Sequence, residues 1–416
     1  MKRILPWLIC LSASLFFFYE FIQGNVFASI ADNIMHDFKI QADKMAYLSS
    51  IYYLANVIFL FIAGPVLDRY SAKYTIIVAM CMCILSTFIL ATTHSFSVAL
   101  VCRFMTGIGS AFCFLGPVRL ASRWFLPQQM AMVTGIIVTV AMTGGMVAQF
   151  PMAVLVAHIG WRHALLCVGW IGIGMLAIIA IVVSDKNKLE FRINHVKRES
   201  ELLFTWKNIY LNPNILCAAS YTSLMNMAIA VFGAMMGSLY LVQRLGITKE
   251  AAAAINSFLF LGTIIGGPVI GWISDKFKQR VLPMKSSALI SLVIVLAILY
   301  APVSILSMKA LFFLLGFFTA AQIIGYALVA ESNHPQITAT AISVVSILTQ
   351  GGYLVYQNLF SWLLVNYGEM QIRDNLPTYS LNAYNHASII LPLGLIAAYI
   401  VLLKLKIHPK CCYVTK

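Results

Sequence analysis

Glu20 stands in the middle of the first long apolar run of the chain, inside Phe16 to Ser29, which reads FFFYEFIQGNVFAS. A charged group at the centre of an apolar membrane helix costs ~2.5–3.5 kcal/mol on insertion scales, so it persists where it faces a cavity, carries function or meets a partner. No other acid occupies such a place, since Asp68, Asp275 and Glu331 fall at the ends of apolar runs. The matching lone base is Arg103, inside the fourth run. Low dielectric disfavours an ionised carboxylate and a nearby guanidinium favours it, so such a pair can exchange a proton as access and solute change. Glu20 therefore suits proton or solute binding, with a hydrogen-bonded structural acid as the alternative.

Further polar side chains punctuate the apolar runs. Gln23 and Asn25 lie in the first, Tyr52, Tyr53 and Asn56 in the second, Gln149 in the fifth, and Tyr221 and Asn226 in the seventh. Gln322 and Tyr326 follow in the tenth, then Gln350, Tyr353, Tyr356, Gln357 and Asn358 in the eleventh. Taken singly, each serves as well to join helices by hydrogen bonds. As a group they favour a small polar organic solute. His94, His158, His163, His334 and His386 sit near run ends without metal-ligand spacing, and the nine cysteines read as packing residues. There is no phosphate loop, dinucleotide turn or Ser-His-Asp order. Neither an enzyme nor a metal or cofactor is expected.

The elements that hold these residues must be membrane helices. Of 416 residues 61% are hydrophobic and 10% charged, with a mean hydropathy of +0.88, whereas soluble domains carry ~25% charged residues. Windows of ~20 apolar residues suffice to span the hydrocarbon. Twelve are predicted, at 5–30, 45–67, 74–93, 97–118, 129–156, 163–183, 213–241, 250–273, 283–302, 308–330, 338–366 and 385–405. The first run is too long for a signal peptide, contains Glu20 and lacks a small-residue cleavage site before Asp32, so it reads as a retained helix. With twelve crossings, twenty Lys and Arg fall on the side of the termini and seven on the other. The net charge of +14 thus sets topology, with both termini cytoplasmic, and does not point to nucleic acid. The polar interval 186–212 separates an N-terminal bundle, 1–185, from a C-terminal bundle with a short tail, 213–416; its stretch 204–210 suits an interfacial helix or a plain linker.

The two halves repeat each other. Gly64-x3-Asp68-Arg69-Tyr70-x2-Lys73 after the second run recurs 207 positions on as Gly271-x3-Asp275-Lys276-Phe277-x2-Arg280 after the eighth, and Gly144-Gly145 recurs as Gly351-Gly352. Glu20 shifted by the same amount falls on Met227, beside Asn226. In the cassette, glycine permits close helix approach, the acid can face a helix N-terminus and the bases can pair with it, which together make a gate. Glu331 is expected to join this gate through the Lys276 to Arg280 loop.

These residues resemble the major facilitator superfamily over nearly the whole length. Gly64 to Lys73 is similar to its signature between the second and third spans, with Ser71 and Ala72 as departures. Arg103-x3-Gly107-x-Gly109 is similar to its fourth-span motif. Gly135 with Gly144-Gly145 is similar to the fifth-span motif without its Gly-Pro pair, and Arg123-Trp124-Phe125-x-Pro127 and Gly160-Trp161-Arg162 resemble signatures of bacterial metabolite permeases. The resemblance implies an all-α fold of twelve membrane helices in two pseudo-symmetric six-helix bundles, with spans 1, 4, 7 and 10 around a central site and alternating access. It also allows Arg103 a structural role, bonding helix carbonyls. The expected function is proton-coupled uptake of an amino acid, short peptide or organic acid across a bacterial inner membrane by a monomer whose partners are solute, protons and lipid. The alternative is a proton antiporter exporting drugs or a siderophore-like compound.

Overall fold

The computed structural model describes residues 4–125, 130–185, 212–277, 279–331, 338–367, 370–373 and 376–405. The segment 204–210 and the side chains of Asp68, Arg69, Asp275 and Glu331 lie outside the described set.

The first span is α1 (Leu5–Asn25) continued by α2 (Phe27–Phe38), which carries it eight residues past the expected end at 30. Apolar Ile30, Ile34 and Met35 are buried along α2, while its acids Asp32 and Asp37 reach the surface polar contacts described below. The next spans are α3 (Ala42–Arg69) and α4 (Ala72–Thr92), the latter capped by Ser71. The fourth span is α5 (Phe96–Ser110) followed by α6 (Leu115–Trp124). After α7 (Met130–Val147), α8 runs over Phe150–Val182. The apolar stretch Gly135–Val182 counts 48 residues, about 72 Å of helix, more than twice the ~30 Å hydrocarbon thickness. Gly160, at φ 77° and ψ 159°, breaks it into two spans, because only glycine adopts that backbone without strain.

The second half begins with α9 (Pro213–Met225), whose cap Asn212 accepts from the amides of Asn214 and Ile215. A π-helical segment, Ile229–Met236, and α10 (Gly237–Leu245) complete that span with a 40° bend. Then come α11 (Lys249–Lys276), α12 (Val281–Tyr300), and α13 (Ile305–Thr319) joined to α14 (Ile323–Glu331) by a 3-10 turn at Ala320–Gln322. The eleventh span, α15 (Thr338–Tyr367), leads into a hairpin of β1 (Met370–Arg373) and β2 (Leu376–Tyr379), antiparallel with Met370 opposite Tyr379. The last span is α16 (Leu381–Ala387) with α17 (Ile390–Lys404). The hairpin is the one departure from an all-α expectation among the described residues.

Backbones meet closely at equivalent places in the two halves. A Cβ on Gly107 of α5 would lie 2.2 Å from the Tyr52 carbonyl of α3, and one on Gly316 of α13 would lie 1.9 Å from the Leu259 carbonyl of α11. Gly64 and Gly271, expected to provide such approaches, have nothing within 4 Å of a built Cβ. That expectation is corrected: the tight glycine contacts lie deeper in each half, not in the loop cassettes. Between halves, α3 packs along α15 and α7 along α11.

Candidate substrate and coupling site

The first, third and fifth helices bring the ionisable residues together. Glu20 on α1 and Arg103 on α5 are each 1% exposed. Tyr52 on α3 donates its hydroxyl to Glu20 Oε2 at 3.2 Å, and the Arg103 guanidinium lies over the Tyr52 ring at 4.7 Å. Phe27 takes its other contact, at 4.5 Å. Arg103 Nη1 donates to the Gln23 carbonyl at 3.0 Å. The sequence expectation that Glu20 and Arg103 approach each other directly is thus modified: they form no ion pair within 4.0 Å, and a tyrosine links them. Glu20 Oε1 and Arg103 Nε and Nη2 are buried without a hydrogen-bond partner. Nε and Nη2 share one edge of the guanidinium, the geometry that grips a carboxylate with two parallel bonds.

The remaining first-half residues hold this cluster in place. Gln23 Nε2 donates to Thr87 Oγ1 at 2.7 Å, and Thr87 also bonds the Tyr19 hydroxyl. Asn56 Nδ2 donates to Ser110 Oγ at 2.6 Å, which in turn donates to the Gly107 carbonyl. Asn25 bonds back to the Phe21 carbonyl of its own helix. Facing them from α15, the Tyr353 ring lies 4.8 Å from that of Tyr53.

Other sequence candidates go elsewhere. Tyr221 donates to the Met284 carbonyl, which fastens α9 to α12. Asn226 bonds the Thr222 carbonyl of its own helix. Gln322 lies in the 3-10 turn with its carbonyl held by Thr222, Tyr326 and Gln350 are half-buried, and Gln357 Nε2 donates to the Ala230 carbonyl. Gln149 sits between the halves, bonded to Gly233 and Asn256. In the loop cassettes, Lys276 lies over the Trp272 ring at 4.8 Å and Arg280 donates to Ser274 Oγ at 2.9 Å. The Lys73 amide and the Ser71 hydroxyl both bond Asp185, which also pairs with Arg123 at 3.0 Å. Asp185 escaped the sequence reading because it looks like the first residue of a polar linker.

The face opposite the termini is closed. Lys249 pairs with Asp32 across the halves, Asn358 donates to Ser50, and the Ala42 amide bonds the hydroxyl of Tyr379 at the end of the hairpin. Hydrogen bonds from Gln149 to Gly233, Asn256 to Gln149, the Phe150 amide to Ser257, Asn358 to Ser50 and the Ala42 amide to Tyr379 join the two halves from mid-span to this face. Beside them, Asp37 accepts from Trp161 and pairs with Arg162, which also caps the Ala91 and Thr93 carbonyls.

This arrangement of two six-span halves around a buried polar site agrees with the family comparison. The Major Facilitator Superfamily profile matches residues 10–357 and again 218–409, and the chain belongs to that superfamily. It is a multi-pass membrane transporter of small organic substrates, and not an enzyme. It is 24% identical over 375 residues to the membrane sensor protein UhpC of Salmonella typhimurium (strain LT2), covering 83% of this chain and 81% of that one. The hexuronate transporter of Bacillus subtilis (strain 168) is 22% identical, over 80% of this chain and 75% of that one. The 4-hydroxybenzoate transporter PcaK of Acinetobacter baylyi is also 22% identical, over 66% of each. Among solved structures, an inward-facing, occupied bacterial homologue of the lysosomal transporter Spinster superposes with a TM-score of 0.72, covering 96% of this chain and 98% of that one at 16% identity.

Proposed function

We propose that this chain is a proton-coupled importer of a small organic acid. The carrying observation is the buried Nε–Nη2 edge of Arg103, unpartnered and linked through Tyr52 to the unpartnered carboxylate oxygen of Glu20. The solute's carboxylate docks on the Arg103 edge, and Glu20 carries the proton. Names of relatives support the chemistry, since hexuronate and 4-hydroxybenzoate are both carboxylates. Tyr353 of α15, whose ring lies 4.8 Å from that of Tyr53, supplies the aromatic side of the site, where a ring or hydroxyl of the solute would lie.

The charge bias supports cytoplasmic termini, and the proposed protein is a monomer in a bacterial inner membrane, built of halves 1–185 and 213–416 joined by the basic linker 186–212. In that orientation the face where Lys249 meets Asp32 is external, and Glu20 and Arg103 lie buried beneath it. Uptake of radiolabelled hexuronate and 4-hydroxybenzoate into proteoliposomes, under an imposed pH gradient of either sign, tests the reading. Gradient-driven accumulation is expected, and Glu20→Gln should abolish it. Wild-type accumulation and pH dependence in Glu20→Gln would refute Glu20 as the coupling group, and proton-driven efflux in place of uptake would favour the exporter alternative.

A further inference from the structure

The seventh span contains eight consecutive π-helical residues, Ile229–Met236. π-helix is rare beyond single-turn bulges and frequently accompanies function, and here it is held from outside by three side-chain amides. Gln357 of α15 donates to the Ala230 carbonyl at 3.0 Å, Asn256 of α11 to the Phe232 carbonyl at 2.9 Å, and Gln149 to the Gly233 carbonyl at 2.8 Å. The first two belong to the same half as the π segment. Gln149 comes from the other.

Gln149 is itself placed by a break in the chain. It lies between α7 and α8 at φ −90° and ψ −104°, two residues before Pro151, and is fully buried. Ser29 donates to its carbonyl and to that of Ala148, and the Phe150 amide donates to Ser257 Oγ across the halves. Its side-chain oxygen accepts from Asn256 Nδ2 at 2.8 Å, so the amide is satisfied at both ends by groups of the second half. No polar atom of Gln149 is left for a solute.

The backbone at Gly237 marks the same geometry. Its amide bonds the carbonyl of Phe232, five residues back, and a Cβ there would lie 2.3 Å from that oxygen. In the π form the Gly233 carbonyl takes the Gln149 amide in place of the i+4 helical donor, and in an α turn the Gly237 amide would supply that bond from within the span.

We infer that Gln149 is a positioning residue that couples closure of the face opposite the termini to the helical form of the seventh span. While the halves meet there, its amide holds Gly233 and the turn stays π-helical. When they part, Gly233 loses that donor and Gly237 can replace it, so the turn relaxes toward α-helix and α10 is re-aimed. The inference rests on the chain being an alternating-access transporter and not on Glu20, Arg103 or the identity of the solute.

Hydrogen–deuterium exchange of the full chain in lipid nanodiscs, without solute, tests it. Gln149→Leu removes the donor, and Gly237→Ala obstructs the π turn from within one half without touching the cross-half bonds. Both should shift the population away from the closed form by roughly tenfold, the scale of two net hydrogen bonds. Exchange should rise in α2, α10 and the Tyr379 hairpin in both variants. Gln149→Asn, which keeps the amide but shortens its reach, should behave like Gln149→Leu and stands in for it where expression fails. Wild-type exchange on that face in either the Gln149 or the Gly237 variant would overturn the coupling, as would a rise in KM alone, which would make Gln149 a solute ligand.

Discussion

Arg103→Lys separates a guanidinium with a designed edge from a mere positive charge. In the native structure the Arg103 plane lies against Phe27 and Tyr52 at 4.5 and 4.7 Å and donates one bond to the Gln23 carbonyl at 3.0 Å. Lysine keeps the charge but has no plane to stack and no paired donors. Losing one of two buried cation–π contacts costs ~1–2 kcal/mol, and losing a charge-assisted bond costs ~1.5–3 kcal/mol. The retained ammonium recovers part of this, which leaves a net destabilisation of about 2–3 kcal/mol. For the solute, replacing a two-bond grip with a single contact removes about 1.4–2 kcal/mol, or ~10–30-fold in KM. Thermal unfolding in detergent should shift down by several degrees, and 4-hydroxybenzoate uptake in proteoliposomes should show the KM increase. A variant whose KM stays within about twofold of wild type, with unchanged melting, would remove Arg103 from both roles.

Three further outcomes follow from particular contacts. Gly144→Ala places a methyl 2.2 Å from the Phe18 carbonyl of α1, whereas Gly135→Ala meets nothing within 4 Å; the first should lose ~1–3 kcal/mol of stability by forced separation of α1 and α7 and the second should be near neutral, as read by thermal unfolding. Asp185→Ala strips Ser71, the Lys73 amide and Arg123 of a shared acceptor that is 14% exposed, so ~1–3 kcal/mol of stability should go, with faster proteolysis near residue 71. Asp32→Asn breaks an ion pair whose lysine is 51% exposed; stability should change by less than ~1 kcal/mol, while exchange in α2 rises.

The spans were legible because membrane helices announce themselves by length and apolarity, and the halves because two cassettes recur 207 positions apart. Glu20 and Arg103 stood out for the same physical reason, as charges where charge is costly. What sequence could not supply was the partner of each polar side chain. Gln149, Tyr221 and Gln357 looked equivalent as isolated polar residues in apolar runs, yet Tyr221 joins α9 to α12, Gln149 joins the halves, and Gln357 supports a π turn. Asn256, which holds Gln149 and Phe232, was as visible as they were, and only its contacts give it meaning. The π segment has no composition signal either, since IAVFGAMM suits any apolar helix.

The duplication also explains why the chemistry is lopsided. Adding 207 to Glu20, Tyr52 and Arg103 gives Met227, Leu259 and Ala310, so the whole ionisable cluster maps onto apolar residues. A similar backbone contact occurs in both halves, the glycine standing two residues out of the 207 register: the Tyr52 carbonyl faces Gly107 and the Leu259 carbonyl faces Gly316. Helix packing therefore constrains both copies while the side chains above it are free to diverge. Met227 now extends toward Gly394, where a Cβ would meet its methyl at 2.4 Å, and fills the place with packing. A charge in each half would cost insertion energy twice; in the proposed reading a single titratable half, facing a bond-forming and aromatic half, supplies the one proton site.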